Sequence, residues 1–109
     1  MASDYRPEYK TLAQEEVQHI SGTDRYIPSY GEPQSWIDFY RKYSNLSVLT
    51  CCYLRCTQEA VIGAHVKVKS IGNKYFIVPV CKSHNPKGNQ PFMVNSGTRA
   101  VPQVLENQP

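Results

Sequence analysis

An α+β chain is predicted, with helices in its N-terminal third followed by a small zinc-binding β-hairpin module. Three observations predict it. Apolar residues recur at helical spacing up to Asn45 and then give way to short β-type runs. Four cysteines and two histidines, Cys51, Cys52, Cys56, His65, Cys81 and His84, fall in one stretch of the second part. The 109 residues are enough for one domain with a modest core. The expected division is a helical segment over 1–46 packing on the core and a zinc-binding module over 47–109 with an extended C-terminal tail, the two forming one compact body.

From Pro7 to Ile20, Tyr9, Leu12, Ala13, Val17 and Ile20 stand at helical spacing, with Gly22 placed to end a helix. The following GTDRYIPSYGEP holds two prolines and two glycines and reads as a loop. A second helix begins at Ser35, whose hydroxyl can cap it, with Asp38 three positions on. Trp36, Phe39, Tyr40 and Tyr43 follow the i, i+3, i+4, i+7 stripe, so that aromatic face is expected to be core. Tyr26, Tyr30 and Tyr53 lie outside this stripe and are expected to be exposed.

After Asn45, LSVLT leads into the first cysteines. AHVKV alternates Val66 and Val68 on one side with His65, Lys67 and Lys69 on the other, and KYFIVPV is a β-branched and aromatic run ending at Cys81. SIGN, with Gly72-Asn73, suits a hairpin turn between the last two. PFMV is a further short run, and Pro102 confines VPQVL to an edge or an extended arm. LENQP is expected to fray.

No run approaches the ~18 apolar residues of a membrane span, and MASDYRPEYK lacks the apolar stretch of a signal peptide. The expected setting is intracellular, cytoplasm or nucleus, where thiols stay reduced and clustered cysteines read as metal ligands. Tetrahedral zinc takes four N/S ligands, and two pairs closed by tight turns lower the entropy of gathering them. Cys81-x-x-His84 supplies one pair; Cys51-x4-Cys56 or Cys52-x3-Cys56 supplies the other, and the spacing alone permits both. His19, away from the cluster, reads as a surface residue, and His65 as a histidine satisfied by solvent or by a nearby carbonyl.

Charge is uneven. Residues 1–45 carry five Lys/Arg against seven Asp/Glu, and residues 46–109 carry seven against two. A basic zinc-bearing half is what a nucleic-acid contact surface looks like electrostatically. Lys67, Lys69, Lys74, Lys82 and Lys87 are the candidate phosphate contacts. The leading expectation is a non-catalytic zinc module binding nucleic acid. A protein-interaction or inhibitory module is the rival, since the N-terminal segment is acidic on balance and rich in aromatic residues.

The order C-x4-C, A-H-V, then a strand closing on V-P-V-C-x-x-H-N resembles the ββα-metal core of zinc-stapled, treble-clef HNH endonucleases, over about Val48 to Asn89. The resemblance implies a structural zinc on Cys51, Cys56, Cys81 and His84, with Cys52 left free, and a general base at His65. It also implies a divalent-metal ligand before the base, where this chain has Ala64, and a histidine after the last zinc ligand, where it has Asn85. Pro86, Gly88 and Pro91 stand where the family's helix would grow, so that helix is at most one turn. Nuclease chemistry is therefore expected to be lost. The enzymatic alternative is a divergent metal-dependent nuclease using His65 with Asn85 and an unidentified carboxylate such as Glu59.

Overall fold

A computed structural model of the chain describes residues 7–21, 35–72 and 74–103. Two short strands, β1 (Lys10–Thr11) and β2 (Glu16–His19), precede helix α1 (Trp36–Ser44). Then come β3 (Ile62–Lys67), β4 (Tyr75–Val80), a single 3-10 turn over Lys82–His84, β5 (Pro91–Met93) and β6 (Arg99–Pro102). The six strands form one antiparallel sheet in the order β1-β6-β4-β3-β2-β5. The α+β class holds at this level, with one helix among the described residues. No described helix is long and apolar enough to cross a membrane.

The expected helix over Pro7–Ile20 is replaced by β1 and β2. Of its five apolar positions only Leu12 and Val17 are buried, and Ala13 is exposed. Lys10–Thr11 pair with Ala100 and Arg99, and Glu16–Gln18 pair with Met93–Pro91. Pairing with strands at the far end of the chain outranks a weak local periodicity. Gly22, the loop from it to Pro33, Tyr26, Tyr30, Asn73 and the tail from Val104 lie outside the described residues.

Helix α1 forms where its stripe and cap require. Ser35 is extended, and its Oγ accepts the Asp38 N–H at 3.2 Å. Asn45 closes the helix in the left-handed conformation, φ 61°. Phe39 and Tyr40 are fully buried and Trp36 nearly so, while Tyr43 is half-buried against the same cluster. They cover Ile77 and Val101 on one face of the sheet. Each large ring contributes about 2–3 kcal/mol by leaving water. Tyr40 Oη donates to Arg99 O at 2.8 Å, and Arg99 Nη1 donates to Ser44 O at 2.6 Å, so β6 holds the C-terminal half of the helix.

At the other end, α1 lies directly on Gly63. A Cβ there would stand 2.8 Å from the Trp36 carbonyl carbon and 2.9 Å from its oxygen. Only glycine lets the helix start this close to β3.

The opposite face packs Ala64, Val66, Phe76, Val78 and Val80 with Leu12, Val17, Phe92 and the cysteines 51, 52 and 81. Val94 N–H donates to Glu15 O at 3.0 Å, Leu12 N–H to Thr98 O at 2.7 Å, and Gly97 N–H to Leu12 O at 2.8 Å. These bonds join the β1–β2 link to the β5–β6 link, so the two ends of the strand order meet and the sheet curls back on itself.

Two further expectations change. LSVLT is not a strand: Thr50 forms an isolated bridge with Glu59, flanked by Cys51 N–H to Gln58 O and Ala60 N–H to Leu49 O. Pro102 lies not on an arm but on β6, interior in the strand order, although β1 pairs only with Arg99 and Ala100 and leaves Pro102 partnered on one side alone. Gln103 N–H donates to Tyr75 O at 2.9 Å, so by strand alternation the Pro102 nitrogen points away from β4, on the side where two-residue β1 no longer reaches.

Candidate metal centre

The first pair of thiols hangs on the loop between α1 and β3. Its two arms are pinned by the Thr50–Glu59 bridge, and the chain between them turns where Cys56 N–H bonds Tyr53 O at 2.8 Å. Arg55 takes φ 67° at this turn, a left-handed conformation that costs about 1–2 kcal/mol in a non-glycine residue. The second pair follows β4 directly: Cys81 comes just after the strand, and the 3-10 turn brings His84 back toward it, His84 N–H bonding Cys81 O at 3.2 Å. Pro86 then follows one residue past Asn85, and no longer helix grows, as expected.

These elements bring together Cys51, Cys56, Cys81 and His84, whose ligating atoms all lie within 4.8 Å of one another. Cys81 Sγ is 3.4 Å and Cys51 Sγ 3.8 Å from His84 Nδ1, and Cys56 Sγ is 4.0 Å from Cys81 Sγ. A tetrahedral ion with bonds of about 2.3 Å to sulfur and about 2.1 Å to nitrogen separates its ligand atoms by about 3.5–3.8 Å. The side chains therefore fit a four-coordinate metal centre. It is the one group of three or more His, Cys, Asp or Glu side chains close enough to share an ion among the described residues.

The electrostatics favour a thiolate at Cys81 and oppose one at Cys51. Burial opposes ionisation of Cys81, yet hydrogen bonding with the His84 backbone first, then with Cys51, the Ser83 backbone and Cys56, holds its pKa below the ordinary thiol value. Cys51 is pushed up to about 11 by burial, against the opposing effect of hydrogen bonding with the Cys81 and Tyr53 backbone. Gln58 N–H lies 3.5 Å from Cys56 Sγ. Backbone donors aimed at sulfur stabilise metal-bound thiolates and fix their direction.

Cys52 stays out of the cluster. Its N–H bonds Pro79 O and its carbonyl accepts Asn95 N–H, both at 2.8 Å. Neighbouring residues on extended chain point opposite ways, so Cys51 faces the cluster while Cys52 enters the apolar core at 3% exposure. Burial, then the neighbouring Cys51 charge, pushes the Cys52 thiol far up.

His65 does share its strand side with Lys67, as alternation requires. It is not open to solvent: α1 covers it and it is 2% exposed. Its ring stands edge-on to Trp36 at 5.0 Å, and Nδ1 pairs with Gln103 Oε1 at 2.7 Å. Asn85 and Glu59 are exposed on loops. Neither His65 nor Glu59 joins a metal-ligating group among the described residues. His19 is half-buried on β2, its ring facing Gly88 O, and not a simple surface residue.

The five lysines separate into two groups. Lys67, Lys69 and Lys74 flank the tip of the β3–β4 hairpin, Lys67 lying over the Tyr75 ring. Lys82 and Lys87 flank the second ligand pair at the opposite end, and all but half-buried Lys67 are exposed.

Asn95 was not foreseen. Its Oδ1 accepts Arg55 N–H at 2.7 Å and its Nδ2 donates to Tyr53 O at 3.2 Å, so one side chain clamps the first turn onto the β5–β6 link. The available signal was Asn-Ser-Gly after an apolar run, a turn cue. Tyr53 is 37% exposed, as expected, and it stacks on the His84 ring with centroids 4.0 Å apart and planes within 6°.

No family model, curated protein or solved structure matches the chain, so the chemistry of the site itself carries the functional reading.

Proposed function

We propose that the chain is a non-catalytic module completed by one structural zinc ion on Cys51, Cys56, Cys81 and His84, and that it binds nucleic acid through exposed lysines. The observation that carries this reading is the closed set of three sulfurs and one imidazole nitrogen within 4.8 Å. Soft thiolates with one imidazole in a four-coordinate arrangement favour zinc over hard cations. Four protein ligands leave no open position for a reacting water, which is the pattern of structural rather than catalytic zinc.

The nucleic-acid part rests on charge and placement. Residues 46–109 hold seven Lys/Arg against two Asp/Glu, and the two lysine groups stand about a strand's length apart, roughly 20 Å. A duplex strand covers that distance in about six phosphates at 3.4 Å each.

Elemental analysis of the purified, reduced protein is expected to find one zinc per chain. Retention on DNA or RNA should weaken with salt, the log–log slope changing by about 0.9 for each duplex phosphate contacted. A metal-free folded chain would refute the zinc assignment, and a salt-independent response would refute the phosphate contacts. A protein partner that survives nuclease treatment would favour the interaction module instead; exposed Val48 and Val61 are the side chains that would serve it.

A further inference from the structure

Beside the metal centre lies a cleft of about 390 Å³, whose lining includes the rings of Tyr53, His84 and Phe92 and the polar side chains of Ser83, Asn85 and Gln90. That volume falls within the range of small-ligand sites, about 300–1,000 Å³. The three rings are parallel: Tyr53 lies 4.0 Å from His84 and 5.9 Å from Phe92, with planes within 6° and 7°. Metal ligation at Nδ1 would fix the His84 ring, and with it the orientation of the whole stack.

The loop carrying Gly88, Asn89 and Gln90 is strapped to β2. Gln18 Nε2 donates to Asn89 O, the His19 ring meets Gly88 O, and His19 N–H bonds Gln90 O at 2.9 Å. Ser21 places its N–H and its Oγ at 3.0 and 3.2 Å from Asn89 Oδ1. The cleft is thus built before any ligand arrives. Its flanking segments, 51–58 and 81–92, carry Arg55, Lys82 and Lys87 and no Asp or Glu.

The geometry points to a nucleobase site: one unpaired base of a single-stranded nucleic acid lies in this cleft against the aromatic stack, beside the metal centre. Stacking accepts any base because every base has a π-face. Asn85 and Gln90 each offer an amide donor and acceptor to a base edge. Lys82, Lys87 and Arg55 neutralise the phosphates on either side. A base inside a duplex is already stacked on its neighbours and cannot enter. This inference rests on the nucleic-acid reading above and adds to it a preference for unpaired strands.

Fluorescence anisotropy with a labelled 12-nucleotide single strand and the matching duplex, at one salt concentration, tests it on the zinc-loaded protein. The wild type is expected to prefer the single strand. Tyr53→Ala should weaken single-strand binding about tenfold or more while leaving duplex binding and its salt slope in place. Gln90→Ala, a change on the exposed loop and away from the four ligands, should weaken it several-fold with metal content unchanged. Tyr53→Trp should keep both the stack and the binding. Equal binding of single strand and duplex by the wild type, or a single-strand preference that survives both alanine variants, overturns the base site and leaves the proposed function standing. Loss of metal in Tyr53→Ala leaves the decision to Gln90→Ala. Absence of salt-dependent binding to either nucleic acid removes the nucleic-acid reading, and this inference with it.

Discussion

The two faces of the sheet are held by different physics. On the face of Ile77 and Val101, a nine-residue helix buries Phe39, Tyr40 and Trp36, and its polar groups are capped or bonded to β6. That face needs nothing beyond the chain. On the other face, Cys51, Cys56 and Cys81 crowd their sulfurs beside an imidazole at separations of 3.4–4.0 Å where hydrogen-bond distances are resolved. Thiols are weak donors and weak acceptors, so hydrogen bonding among them would hold the two loops less firmly than the proposed ion. Both faces bury apolar clusters; on the zinc reading proposed above, the cysteine face alone would also be closed by ligation.

Removing the metal should have the largest effect. Structural zinc in small fingers contributes on the order of 10 kcal/mol. A chelator, or Cys81→Ser, is expected to abolish zinc binding and to strip amide protection from residues 51–58 and 81–95, whereas α1 and the centre of β3–β4 keep theirs. Hydrogen exchange followed residue by residue makes the comparison. Equal loss of protection across helix and loops would show that the two faces are one cooperative unit, and the contrast drawn above would fail.

The helical face should answer to volume and not to metal. Phe39 is fully buried, so Phe39→Ala is expected to destabilise the protein by about 3–5 kcal/mol. Gly63→Ala should cost about 1–3 kcal/mol, because its Cβ would meet helix backbone at 2.8 Å and the helix must retreat. Both variants, below their unfolding midpoints, should still carry one zinc per chain. Urea unfolding with metal analysis checks the pair. Zinc lost from the folded Gly63→Ala protein would mean that the seat of the helix positions the ligands.

How far the sequence foretold this structure follows from how local each signal is. The α1 cap and stripe are local: Ser35, Asp38 and the four aromatic positions lie within nine residues, and the helix appeared where they placed it. The ligand pairs are nearly as local, each closed by one turn, so the choice of Cys51 over Cys52 needed only the spacing and the resemblance. The first segment failed because Leu12 and Val17, its buried residues, stand five apart, which fits neither a helix face nor a single strand. Its partners, Arg99 and Met93, lie at the other end of the chain. His65 was placed on the correct side of its strand. What covers that side depends on Gly63, whose close contact with Trp36 has no periodic signature. Asn95 holds a turn some forty residues earlier, which no local pattern can announce.

The smallest effect separates the faces by proton linkage. Cys52, on the cysteine side, is pushed far above its ordinary value of 9.0, chiefly by burial. Tyr40, on the helix side, is raised far above 10.0, again by burial first, then by the Cys52 charge, with Arg99 opposing. A raised pKa means that the folded state keeps the proton after the unfolded chain has released it. Each group's contribution is therefore whole below its unfolded pKa and declines as pH rises toward the folded one, by about 1.4 kcal/mol per unit. Cys52→Ala should remove the part of the alkaline loss that begins near pH 9, and Tyr40→Phe the part that begins near pH 10, with zinc retained in both. Urea midpoints of the zinc-loaded proteins from pH 8 to 10.5 report the difference. If Cys52→Ala leaves the alkaline slope unchanged, the thiol is not sealed in the core, and the division of labour between Cys51 and Cys52 has to be redrawn.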